Sequence, residues 1–142
     1  MDLTTSYVFD AAHRIAGHPG KCAWLHGHTY HLEVTVSSPT LNPLGMVMDF
    51  DDLRDAVRKA VLDLWDHSTL LAAGDPLGPA ISAVQREAPD RVVLLPDQPT
   101  AEVLTREAWT RLEPQLPAGI ALERVAIRET PSCGSAMSRP QA

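Results

Sequence analysis

Cysteine is scarce in this chain: its 142 residues include two, Cys22 and Cys133. Two thiols cannot build a densely cross-linked scaffold, and a chain of this length buries roughly two-thirds of its unfolded surface without one. The expectation is free thiols in a reducing cytoplasm. Long apolar runs are missing too. No stretch approaches the roughly 18 residues of a membrane-spanning helix, and the first residues lack the basic-then-apolar pattern of a secretion signal. Basic runs are also absent, since 12 Lys and Arg stand against 18 Asp and Glu, for a net charge of −6. That argues against nucleic acid as the main partner. No internal repeat or low-complexity segment interrupts the chain, and residues 1–142 read as one domain.

What the chain does have is a concentration of chemistry between Cys22 and His28. His26 and His28 stand two apart, so in an extended segment both point to one face. Gly27 removes a side chain where crowding would be worst. Tyr30, Leu32, Val34 and Val36 continue the same parity, so the histidines open an apolar strand face. Residues 3–13 read as an earlier strand, with Tyr7, Phe9, Ala11 and His13 on one face. If the two strands pair antiparallel across the loop 14–25, His13 meets His26 and His28. Three histidines with one position open are the arrangement of a catalytic zinc. Cys22 as a fourth ligand would instead close the site into a structural one, and the residues alone leave both readings open. His18 and His31 read as bystanders.

Further along, Met46–Met48 read as a short extended run. Asp49 caps a helix that runs to about Trp65, with Asp66 and His67 finishing it. Residues 72–98 are rich in Gly, Pro and Ala; a helical piece at about 79–88 and an extended Val92–Leu95 are expected there. Thr100 caps a second helix, which Pro114 and Pro117 end. Val125, Ile127 and Glu129 share one face of a strand at 122–129, and the tail holds one short strand. The expected architecture is α+β, in the order ββααββ, with two helices on one face of an antiparallel sheet. The other face carries His31, Glu33, Thr35, Arg124 and Arg128, polar enough to meet water or a water-filled oligomer interior.

Taken together, Phe9-Asp10-Ala11-Ala12-His13, Cys22 with His26-Gly27-His28, Asp49-Phe50, Asp66-His67, Pro99-Thr100-Ala101-Glu102 and Arg128-Glu129-Thr130 resemble the 6-pyruvoyltetrahydropterin synthase family. They occur in the family's order over about residues 3–130. The four-residue interval from Cys22 to His26 is similar to the bacterial 6-carboxytetrahydropterin synthase branch of queuosine precursor synthesis. The resemblance implies a tunnelling fold whose sheets join into oligomeric barrels, as trimers or hexamers, with sites between subunits. It implies zinc on His13, His26 and His28, a catalytic group of Cys22, Asp66 and His67, and a pterin anchored by Glu129. Thr100 and Glu102 would help form the pterin pocket. The implied substrate is 7,8-dihydroneopterin triphosphate, converted to 6-carboxytetrahydropterin with release of acetaldehyde and triphosphate. The alternatives are a pyruvoyl product, aldol cleavage, or a non-catalytic metal site closed by Cys22. A zinc hydrolase lacks its HExxH signature here. Two features depart from the family pattern: a long 70–98 stretch, and Pro131 where an amide donor is expected.

Overall fold

A computed structural model describes residues 1–140. Its centre is the antiparallel pair β1 (Asp2–His13) and β2 (His26–Ser37), in unbroken register from Asp2 opposite Ser37 to His13 opposite His26. The alternation read from sequence is the alternation observed. Phe9, Ala11, Tyr30, Leu32, Val34 and Val36 are buried, while their neighbours face out. Phe9 and Tyr30 sit opposite one another and stack at 5.0 Å between ring centroids.

Helix α1 (Phe50–Val57) starts on Asp49, whose carboxylate accepts the Asp51 amide. It continues through a π-helical turn at Arg58–Leu62 and ends in one α-turn, Asp63–Trp65. Leu53, Val57, Val61 and Trp65 are buried at helical spacing. Met46–Met48 is irregular, with a bend at Val47 and Met48, not an extended run, although Val47 and Met48 are buried.

The stretch after this helix corrects the expected order ββααββ. A strand that the sequence did not signal, β3 (Ser68–Ala72), follows at once. Helix α2 (Leu77–Val84) and strand β4 (Val92–Leu95) come next, close to the two elements expected there. β3 pairs in parallel with both β1 and β4, so the sheet is mixed rather than antiparallel. The reason is geometric: β4 returns after helix α2 and runs parallel beside β3, the strand the chain had just left, while β3 itself lies beside β1 rather than β2. Helix α3 (Ala101–Leu112), capped by Thr100, leads to β5 (Ala121–Thr130) and β6 (Cys133–Ser138). The six strands lie in the order β4-β3-β1-β2-β5-β6. Leu104, Ala108 and Leu112 of α3 and the buried face of α1 join the apolar strand face in one core. Among the described residues, no helix is long and apolar enough to cross a membrane.

Candidate metal centre and active site

Register alone brings the three histidines together. His13 ends β1, His26 begins β2 directly opposite, and His28 stands opposite Ala11. Their ring centroids form a near-equilateral triangle of 4.6, 5.1 and 5.0 Å. Gly27 is needed between them, because a Cβ there would lie 3.2 Å from the Ala11 carbonyl oxygen.

The hydrogen bonds decide which nitrogens are free. His13 Nδ1 lies 2.7 Å from the Pro99 carbonyl oxygen, and His26 Nδ1 lies 2.7 Å from that of Trp24. A carbonyl only accepts, so both Nδ1 atoms carry the proton and both Nε2 atoms present lone pairs. Burial pushes His13 down to about 4, with the neighbouring His26 and His28 also opposing a charge, and burial lowers His28 as well. As neutral imidazoles, the form that binds a metal, His13 and His26 set their Nε2 atoms 3.1 Å apart. Two lone pairs in that position repel unless a cation sits between. Tetrahedral zinc with Zn–N near ~2.05 Å sets its ligand nitrogens about 3.3 Å apart, so the donor set fits.

Glu129, on β5, lies beside this group, its Oε1 3.8 Å from His13 Nε2. Burial raises its carboxyl, nearby His26 opposes that, and nearby Glu102 reinforces it. Glu102, from the first turn of α3, is near enough to Glu129 for its charge to act there, while the Thr100 hydroxyl accepts the Val103 amide as the helix cap. Tyr30 walls the cluster, edge-on to His13 and His28 at 5.9 and 5.5 Å.

The other expected residues lie elsewhere in the single chain. Cys22 sits half-buried in a one-turn helix, Lys21–Ala23, and is not among the ligand atoms that converge with the three histidines. Asp66 caps the C-terminal end of the helix, its amide donating to the Leu62 carbonyl at 2.9 Å, and His67 follows directly. Asp66 is extended, and His67 takes a left-handed φ of 58°. That conformation is uncommon outside glycine, and it is held from several sides. The His67 amide donates to the Asp10 carbonyl at 2.7 Å, the Asp10 amide donates to Asp66 Oδ1 at 2.9 Å, and Asp66 Oδ1 is 3.0 Å from His67 Nδ1. Asp10 points away from the core, so this trio occupies the sheet face opposite His13. A pocket of about 500 Å³ opens there, lined by Asp10, Thr29, His67, Gln85 and Arg91 among others. His18 accepts the Gly20 amide, and His31 is exposed.

Sequence reasoning missed the groups that hold the ligands. The Pro99 and Trp24 carbonyls that set the tautomers are backbone atoms and leave no residue-type signal. The ion pair of Arg14 with buried Asp75, Nε to Oδ2 at 2.8 Å and Nη2 to Oδ1 at 2.5 Å, joins residues 61 apart.

The fold and the three converging imidazoles define an α+β protein with a group of side chains that could hold a metal ion. The 6-pyruvoyl tetrahydropterin synthase family model matches residues 2–140, and the chain belongs to that family. It is 36% identical to a 6-carboxy-5,6,7,8-tetrahydropterin synthase of Rickettsia bellii over 94% of this chain and 96% of the relative. It is 31% identical to the synthase of the same name from Haemophilus influenzae, covering 92% and 93%. Among solved structures, an uncharacterized protein of Wolinella succinogenes superposes with a TM-score of 0.83 at 20% identity, covering 99% and 98%. The 6-pyruvoyl tetrahydropterin synthase of Caenorhabditis elegans superposes at 0.70 and 22%, covering 99% and 96%.

Proposed function

We propose that the chain is a zinc-dependent lyase that converts 7,8-dihydroneopterin triphosphate and one water molecule to 6-carboxy-5,6,7,8-tetrahydropterin, acetaldehyde and triphosphate. The observation that carries the reading is the convergence of His13, His26 and His28, with the Nε2 atoms of His13 and His26 3.1 Å apart and Glu129 3.8 Å from His13. A metal position and a carboxylate beside it suit a substrate with a polar ring and a hydroxylated side chain. The relatives' names supply the substrate class.

In this reading His13, His26 and His28 hold zinc, which supplies Lewis acidity toward the substrate's side-chain oxygens. Glu129 accepts two hydrogen bonds from the amino-pyrimidine edge of the pterin, with Thr100 and Glu102 framing that pocket. Cys22 removes a proton from the substrate's side chain. His67 moves the second proton at Nε2 while Asp66 holds Nδ1. Asp66 and His67 lie across the sheet from the histidines of their own chain, which favours a site completed by a second copy. A homo-oligomer, trimer or hexamer, joined through its sheets into a barrel is therefore part of the proposal. So are one domain spanning 1–142, a cytoplasmic location and a product destined for the queuosine precursor.

The test is product analysis. Zinc-loaded protein is incubated with 7,8-dihydroneopterin triphosphate, and pterins, acetaldehyde and triphosphate are followed by mass spectrometry. Carboxytetrahydropterin with acetaldehyde supports the proposal. A pyruvoyl product moves the chain to the other branch of the family, and unconsumed substrate overturns the reading. Cys22→Ala should abolish turnover and leave zinc bound; loss of zinc instead would make Cys22 a ligand.

A further inference from the structure

The segment Gln98-Pro99-Thr100 touches three parts of the candidate site at once. The Pro99 carbonyl fixes the His13 tautomer. The Thr100 hydroxyl caps the helix that bears Glu102. Gln98 reaches the loop between the metal-binding strands, the loop that carries Cys22. Its Oε1 accepts the Ala16 amide at 3.0 Å, and its Nε2 donates to the Ala16 carbonyl at 3.3 Å. The side-chain amide thus engages both backbone groups of one residue, as a neighbouring strand would.

That grip is passed on to the thiol. The Ile15 amide donates to the Cys22 carbonyl at 2.7 Å, and the His18 amide donates to the Ile15 carbonyl at 3.1 Å. Ala16 lies between those two ties. On its other side Arg14 is held by the buried Asp75. A loop of this length connecting two strands has no regular structure beyond one helical turn at Lys21–Ala23. Loops are the least stable parts of a fold unless tied from outside.

We propose that Gln98 is a positioning residue for Cys22: its amide pins Ala16, and through the Ile15–Cys22 bond it sets where the thiol stands relative to the three histidines. Gln98 touches neither the metal position nor Cys22 itself. The effect on turnover rests on the proposed role of Cys22; the effect on the loop does not.

The experiment compares Gln98→Ala and Gln98→Glu with their parent, all in a Cys133→Ser background so that Cys22 is the sole thiol. Three quantities are read: the rate of Cys22 alkylation by iodoacetamide, zinc content, and kcat and KM on 7,8-dihydroneopterin triphosphate. Release of the loop should raise the alkylation rate by about fivefold or more. Zinc should stay bound, and kcat should fall by about tenfold or more with KM within about twofold. Gln98→Glu keeps the size but sets a carboxylate against the Ala16 carbonyl, so it should be the worse variant. If it does not fold, Gln98→Ala decides. Alkylation within twofold of the parent overturns the inference, as does a Glu variant that behaves like the parent. A parent without turnover would remove the proposed reaction and leave the alkylation result to judge Gln98.

Discussion

Acid should weaken the metal-free protein, and His13 is the main reason. Its side chain is buried at 1% exposure, and burial holds its pKa at about 4 against the usual 6.5. Between those values the unfolded chain binds a proton that the folded chain refuses. Stability is therefore fully present above about pH 6.5 and is lost as the pH falls toward 4. The interval, 6.5 minus about 4, is roughly 2.5 pH units. At about 1.4 kcal/mol for each, the loss comes to roughly 3–4 kcal/mol. A domain is stable by only about 5–15 kcal/mol in total, so the loss is a large share. His28, lowered by burial and by His26, acts in the same direction. The assay is urea denaturation of metal-stripped protein from pH 7.5 to 4.5, wild type beside His13→Asn. Carboxylates shared by both proteins contribute equally to both slopes. The wild type should lose stability more steeply, by up to about 1.4 kcal/mol per pH unit between 6 and 4.5. Equal slopes would refute the argument, because they would mean that the folded chain accepts the proton as readily as the unfolded one.

Three further perturbations have defined outcomes. The Tyr30 hydroxyl is buried with no hydrogen-bond partner; Tyr30→Phe should leave stability unchanged or raise it by up to about 1 kcal/mol in thermal denaturation, and a loss larger than that would reveal a partner in the assembled protein. A Cβ at Gly134 would lie 2.5 Å from the Ile127 carbonyl oxygen and 2.8 Å from Arg128 Cα. Gly134→Ala should therefore cost about 1–3 kcal/mol, with hydrogen exchange accelerated in β6 before the rest of the sheet. Glu129→Gln replaces charge-assisted hydrogen bonds by neutral ones, worth about 1.5–3 kcal/mol, and should raise the KM for the pterin by roughly tenfold to a hundredfold with zinc retained; an unchanged KM would remove Glu129 from pterin binding.

Much of the frame was legible because it rests on local pattern. The alternation in Tyr7–His13 and His26–Val36 marked both strands, the face each buries and the meeting of the three histidines, since one register follows from one parity and one connecting loop. The caps Asp49 and Thr100 were legible for the same reason: each acts within three residues of itself. What escaped was non-local. Ser68–Ala72 is five residues long and is a strand because it pairs in parallel with β1 and β4, partners that its own sequence does not name. His67 reads as a helix-ending residue until the Asp10 backbone, 57 positions earlier, is seen holding its amide. Gln98 reads as a polar loop residue until Ala16 arrives beside it.

The sequence by itself thus determined the meeting of the three histidines, the two long strands and the family, because periodicity, capping and motif order are written in neighbouring residues. The tertiary structure alone decided which nitrogen of His13 and His26 is free, that Cys22 stands outside the histidine set, and that Asp66 and His67 occupy the opposite face of the sheet. Those outcomes depend on backbone carbonyls and on strand order, which arise only when distant segments pack together.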